Sequence, residues 1–255
     1  MTPRLEPDFL SKPLAHRGLH DVADGRPENS RAAIQAAISQ GYGIEIDLQL
    51  SADHKAIVLH DFALDRLTDE MGPVRQLTAK LLSDIPLRGS NEGIPDLAAI
   101  LDLVAGQVPL LIELKDQDGM MGTNVGPLEQ EAAKLLRNYT GSLAVMSFNP
   151  NSVALLADLL PEVPRGIVTS AYRYGDWPLS DGICDHLRDI PDFDRVGASF
   201  ISHEVSDLDR PRVADLKDYG ADILCWTVKS ADQEIKARKV AQNITFEQYL
   251  AKPVA

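Results

Sequence analysis

The sequence predicts an α/β fold, a (β/α)8 TIM barrel with a parallel eight-stranded sheet, and two observations carry that expectation. Short β-rich runs alternate with helix-patterned segments along the chain, the order that a parallel sheet produces. PLAH (13–16), GIEIDL (43–48), PLLIEL (109–114), LAVMSF (143–148), RGIVT (165–169), VGASFI (196–201), DILCWTV (222–228) and NITF (243–246) are strand candidates, and eight is the number a barrel requires. The 255 residues suit one such domain over 1–255, because no internal repeat, low-complexity run or linker divides them. A doubly wound open sheet is the alternative.

PLAH is a brief apolar run that ends in a histidine. SRAAIQAAISQGYG (30–43) sets Ile34 and Ile38 four residues apart among alanines, with Asn29 or Ser30 as N-cap and glycines behind, and so reads as a helix. GIEIDLQL (43–50) alternates strictly, with Ile44, Ile46 and Leu48 on one side and Glu45, Asp47 and Gln49 on the other. AIVLHD (56–61) is a further short strand candidate outside the eight. The polar stretch that follows, to about residue 95, makes a short insertion after the second strand.

DLAAILDLVA (96–105) predicts a helix, VPLLIELK (108–115) an apolar strand, and LEQEAAKLLRNY (128–139) a helix charged on one face. SVALLADLL (152–160), RPRVADLKDYG (210–220) and ADQEIKARKV (231–240) continue the helical series, the second of them stopped by a glycine. Residues 171–195 are the least regular and predict a long loop with a short helix. NITFE (243–247) is the candidate last strand, with its register left open.

A hydrophobic content of 44% with 25% charged residues is ordinary for a soluble globular chain. MTPRLEPDFLSKP has no apolar signal core, and no run approaches the roughly 20 apolar residues of a membrane span, so the expected setting is the cytoplasm. A net charge of −13 argues against nucleic acid as partner, because binding would lack its usual electrostatic drive. It leaves a small anionic substrate open, provided that a local cationic pocket receives it. Cys184 and Cys225 fit no metal or redox spacing and read as reduced packing residues.

Glu45 and Asp47 are two residues apart, so in a strand they share one face at a spacing of roughly 6.6–7 Å. Two unpaired carboxylates in a buried barrel strand would be very costly. Arginine or solvent partners on an edge strand would relieve that cost, and so would a hard cation such as Mg2+ or Ca2+. Glu113 and Lys115 repeat the geometry at the end of an apolar run, either as an ion pair or with Glu113 as a third ligand. His16, His60 and His203 each end a β-rich run, and in a parallel barrel the strand C-termini form the active-site face.

HRG (16–18), PENS (27–30), EID (45–47), VLHDFALDRLT (58–68), IELK (112–115) and WTV (226–228) occur in this order. Together they resemble the glycerophosphodiester phosphodiesterase family over roughly residues 14–228. The resemblance implies a (β/α)8 barrel and metal-dependent hydrolysis of glycerophosphodiesters to glycerol 3-phosphate and an alcohol. It implies His16 and His60 as the acid–base pair, and Glu45, Asp47 and Glu113 as ligands of one divalent cation; between Mg2+ and Ca2+, availability in the cytoplasm favours Mg2+. Arg17 and Lys115 would contact the phosphate, and Trp226 would line the substrate pocket. The role of His203 stays open.

Charge agrees with that assignment. Three carboxylates and a dication leave one negative charge, Arg17 and Lys115 turn it into one positive charge, and a singly charged phosphodiester neutralises the site. Two histidines suit an acid and a base that exchange roles near neutral pH. The chain departs from the family pattern in the long LHDVADGR (19–26), expected as a flap with His20 or Arg26 reaching inward, and in the lack of a glycine-rich, aspartate-ending last strand. Two alternatives are a lysophospholipase D-type activity, disfavoured because no exposed apolar stretch suggests an acyl groove, and a catalytically silent barrel that binds phosphorylated ligands.

Overall fold

The computed structural model describes residues 2–252. In chain order the regular elements are α1 (Pro7–Ser11), β1 (Leu14–His16), α2 (Arg31–Ser39), β2 (Gly43–Leu50), β3 (Ala56–Val58), α3 (Ala79–Ser83) and α4 (Leu97–Val104). Then follow β4 (Leu110–Leu114), α5 (Pro127–Leu136), β5 (Leu143–Ser147), α6 (Pro150–Leu159), β6 (Arg165–Thr169), α7 (Asp181–Arg188) and β7 (Phe200–Glu204). The chain ends with α8 (Pro211–Tyr219), β8 (Asp222–Val228), α9 (Ala231–Ala237) and β9 (Asn243–Phe246).

β1, β2 and β4 to β9 form a closed ring in which every pair is parallel, because β1 hydrogen-bonds to β2 on one side and to β9 on the other. The expected barrel is therefore present, and the register left open for NITFE is fixed by Leu14 opposite Thr245 and Ala15 opposite Phe246. β3 lies outside the ring and runs antiparallel to β2, with Val58 opposite Leu48. α7 is the short helix expected within 171–195.

Local chemistry starts the helices. Ser30 caps α2 by accepting from Ala33 N at 3.1 Å, Asp96 caps α4 through Ala99 N, and Gly220 in the left-handed region ends α8. α1, which periodicity did not single out, plugs the N-terminal mouth of the barrel. Its Phe9 is fully buried against Leu14, Leu111 and Phe200, and Asn243 Nδ2 donates to the carbonyls of Phe9 and Lys12.

Alternation along each strand divides the core. Ile44, Ile46, Ile112, Val145, Ile201 and Ile223 face the helices, while Leu14, Leu111, Ala144, Met146, Val168, Phe200 and Leu224 fill the barrel. The same alternation turns Glu45 and Asp47 inward. Gly166 makes room for Phe200, since a Cβ there would lie 2.3 Å from the Phe200 ring. Gly166→Ala should lower stability by about 1–3 kcal/mol in urea unfolding, the usual cost of overpacking. In a Phe200→Ala background most of that cost should vanish, and an additive double mutant would show the two sites to be uncoupled.

Candidate active site

The site begins with strand register. His16 stands opposite Glu45 across β1 and β2, and Asp47 stands opposite Glu113 across β2 and β4. Inward alternation then brings one carboxylate oxygen each of Glu45, Asp47 and Glu113 within 4.8 Å of one another, all three side chains buried. Lys115 Nζ lies 2.7 Å from Asp47 and 2.6 Å from Glu113, so the Glu113–Lys115 ion pair weighed from sequence forms, with Asp47 as its third member. Asn29 Nδ2 donates to Asp47 at 2.9 Å, and Arg17 Nε lies 3.4 Å from the same carboxylate.

Electrostatics sort the three acids. Burial pushes Glu45 well above its ordinary pKa, and the charges of Asp47 and Glu113 add to the effect. Burial also raises Glu113, against the pull of Lys115. Burial opposes the charge on Asp47, but Lys115, His60 and Arg17 outweigh it and hold this acid far below the usual range. Three buried carboxylates whose charges are only partly balanced form a hard oxygen donor set that fits a divalent cation.

The turn that follows β1 is strained. Arg17 adopts φ 57° and Gly18 φ 79°, and the Arg17 backbone N–H donates to Glu45 at 3.1 Å. A Cβ on Gly18 would come within 2.9 Å of the Ala33 carbonyl carbon, so glycine lets the corner pack on the start of α2. Arg17 Nη1 bonds Glu28 at 2.7 Å. Its positive charge thus sits inside a ring of carboxylates; burial disfavours the charge, but Asp47, Glu28 and Glu45 outweigh burial and raise its pKa.

Each of the two histidines has a carboxylate on Nδ1. His16 bonds Glu247 at 2.6 Å, while its Nε2 lies 4.0 Å from Glu45. His60 bonds Asp61 at 2.7 Å, Asp61 is held by Arg66, and Arg66 reaches Glu28 at 2.8 Å, closing a chain back to Arg17. Burial lowers the His16 pKa in spite of Glu247, which favours the neutral imidazole. His60 reaches the site by a route that the strand-end rule does not describe: β3 runs antiparallel, so its end returns along β2, where Leu59 N donates to Asp47 O.

His16, Arg17, Glu45, His60, Glu113, Lys115 and Trp226 all line one cavity of about 80 Å3, and Asp47 lies beneath it, held by Lys115. Every sequence-predicted site residue is therefore brought together. Glu28, Asn29, Asp61, Arg66 and Glu247 were missed; four of them lie within the PENS and VLHDFALDRLT motifs, which carried the signal. His203 faces outward instead, fully buried, with Thr169 at 2.7 Å and Asp207 at 3.2 Å. The 19–26 loop does not cover the cavity. His20 turns to Glu247 at 3.5 Å, and Arg26 pairs with Asp24 within the loop.

The expectation against an apolar groove is overturned. A second cavity of about 590 Å3 shares His60, Glu113, Lys115, Phe148 and Trp226 with the first and runs outward past Phe62, Met121 and Trp177. Phe148 lies 5.0 Å from Trp177 and 5.6 Å from Trp226, ring centre to ring centre, so three aromatic side chains form a continuous wall. No helix among the described residues is long and apolar enough to cross a membrane.

A parallel barrel with acids, bases and cations gathered at the C-terminal ends of β1, β2 and β4 has the layout of a TIM-barrel enzyme. Residues 16–245 match the glycerophosphoryl diester phosphodiesterase family, and the chain belongs to it; members are phosphoric diester hydrolases. YhdW of Bacillus subtilis is 29% identical over 240 residues, which cover 91% of this chain and 90% of that protein. The glycerophosphodiester phosphodiesterase of Caldanaerobacter subterraneus is 26% identical over 66% of this chain and 70% of its own. An Oleispira antarctica phosphodiesterase, solved with the product sn-glycerol-3-phosphate, has a TM-score of 0.77 at 23% identity, covering 94% of each chain.

Because burial raises the Glu45 pKa, a cation held by the trio would have to displace the Glu45 proton. Mg2+ affinity should therefore fall as pH drops through the raised Glu45 pKa, with proton release visible as a buffer-dependent heat in calorimetry. A pH-independent affinity with no buffer effect would contradict the protonation of this trio.

Proposed function

We propose that this chain hydrolyses glycerophosphodiesters to glycerol 3-phosphate and an alcohol by acid–base catalysis between His16 and His60. The observation that carries the reading is that two imidazoles, each bonded through Nδ1 to a carboxylate, share one cavity with three buried carboxylates. Family membership supports it, and so does the product held by the Oleispira antarctica enzyme.

Glu45, Asp47 and Glu113 would hold one divalent cation, which supplies charge neutralisation for the anionic substrate. Mg2+ is favoured over Ca2+ by its availability in the cytoplasm, the setting we propose. The neutral His16 suits the starting base. It accepts the proton of the glycerol 2-hydroxyl, that oxygen attacks phosphorus, and a cyclic phosphate forms as the bond to the leaving alcohol breaks. His60, as the acid of the pair, gives a proton to the alcohol. Water then opens the ring with the roles reversed. Arg17 and Lys115 face the phosphate oxygens, and Trp226 walls the substrate side.

His16→Ala or His60→Ala should reduce kcat by at least ~10²-fold, the usual acid–base contribution. Asp47→Asn should abolish activation by added Mg2+. The acidic limb of kcat/KM should lie below the ordinary histidine pKa of about 6.5, because the base must be neutral and burial keeps it so. Near-wild-type turnover in either histidine variant would sink the assignment.

The groove favours a second reading, a lysophospholipase D-type activity on glycerophosphodiesters that bear one acyl chain. Phe62, Met121, Phe148 and Trp177 offer an apolar surface that a bare head group leaves unused. Each buried methylene contributes about 0.8 kcal/mol, so kcat/KM should rise by roughly fourfold per methylene until the groove is full. A profile flat with chain length, or a slope unchanged in Trp177→Ala, would exclude this reading.

A further inference from the structure

We propose that this chain carries a second metal site, inhibitory and selective for Zn2+-like transition-metal dications, built from His16 Nδ1, His20 Nε2 and Glu247 Oε2. One donor atom of each residue lies within 4.8 Å of the other two, in a cluster apart from the carboxylate trio. Each comes from a different place: the end of β1, the 19–26 loop, and the residue after β9. The Glu247 oxygen is 2.6 Å from His16 and 3.5 Å from His20.

Donor chemistry separates the two sites. Two imidazoles and one carboxylate suit Zn2+, whereas an all-carboxylate set suits Mg2+ or Ca2+. A tetrahedral zinc with bonds of about 2.0–2.2 Å holds its ligands about 3.3–3.5 Å apart. The His20–Glu247 separation is already there, and the His16–Glu247 pair must open by less than about 1 Å.

His20 supplies the independent observation. Its Nε2 is buried and makes no well-formed hydrogen bond, meeting Glu247 Oε2 only in a 3.5 Å ion-pair contact, and a ring nitrogen so weakly engaged is open to a metal. Lys229 holds the other Glu247 oxygen at 2.8 Å and is itself half-exposed, so Oε2 stays directed at the two rings. The cluster borders open space on two sides: His20 lines a cleft of about 560 Å3 between the 19–26 loop and Gln248–Leu250, and His16 lines the cavity of the carboxylate site.

Occupation has one consequence for the proposed reaction. With a metal on Nδ1 in place of Glu247, His16 loses its positioning carboxylate and can no longer cycle a proton through the ring. The carboxylate trio stays untouched. The inhibitory part rests on His16 as acid–base residue; the binding part does not.

Two measurements test this. With Mg2+ saturating, Zn2+ binding is read by competition with a chromogenic chelator on the whole chain, for the wild type, His20→Asn and His20→Gln, each checked for its fold by circular dichroism. One Zn2+ should bind per wild-type chain, and more than about tenfold more weakly in both variants, since losing a ligand costs more than losing a group that only hydrogen-bonds to a ligand. Zn2+ should also inhibit the wild type at saturating Mg2+, and the half-inhibiting concentration should rise by more than about tenfold in the variants, with turnover in the absence of zinc unchanged. Equal zinc affinity in wild type and folded variants would overturn the proposal. So would zinc displaced, or inhibition relieved, by more Mg2+, which places the ion on the carboxylates. Should the chain show no phosphodiesterase turnover, the reading of the site fails while the chelator measurement still decides the metal.

Discussion

Three carboxylates forced together inside a barrel are the constraint on which the rest of this structure depends. Two like charges about 4 Å apart at an effective dielectric near 20 repel by roughly 4 kcal/mol, before any desolvation. Lys115 sits between Asp47 and Glu113, Arg17 and Asn29 approach Asp47 from the other side, and the Arg17 backbone N–H takes up Glu45. Burial first, and then the repulsion that these groups do not offset, raises the Glu45 and Glu113 pKa values. A cation held by the three carboxylates would relieve what is left of that repulsion. A slip of one residue in β2 would turn Glu45 and Asp47 toward the helices, so the hydrophobic alternation that fixes the strand also fixes the site.

Ring closure supplies the other half of the chemistry. β1 has only three residues and is held between β2 and β9. That arrangement brings Glu247 to His16 across 231 positions of sequence. His60 gains its carboxylate locally, from its own neighbour Asp61. The two histidines thus have the same partner type with different dependence on the fold. His16 is as well placed as β9 is paired, and His60 as well placed as the β3 hairpin and the Arg66–Glu28 link allow.

The strands were legible because each combines apolar alternation with punctuation by turns, and the inward carboxylates were legible because strict alternation in GIEIDLQL leaves them nowhere else to go. The short α1 carries too little periodicity to be read, and only the plugged barrel mouth explains it. β3 was legible as a strand outside the eight but not as an antiparallel one, since pairing direction is a tertiary property. Glu247 sits in a segment that departs from the family pattern, and its partner is far away in sequence. The groove left no trace at all. Phe62, Met121 and Trp177 lie in three separate loops, share no periodicity, and become a surface only when the barrel ends converge.

If the groove takes part in binding as proposed, it changes how the acidic chain would handle its substrate. A net charge of −13 repels anions at long range, so attraction must come from within. Yet Arg17 and Lys115 are already committed to carboxylates in the free protein, and neither offers an unbalanced charge. A phosphodiester therefore gains little from the cations until the carboxylates are neutralised by other means. An apolar wall that holds the non-reacting part of the substrate does not share this limit, because burial of hydrocarbon is indifferent to the charge of the chain. Binding energy from the wall and charge balance from the trio would then act in sequence, which makes the aromatic residues at the rim the natural place for substrate choice to be set.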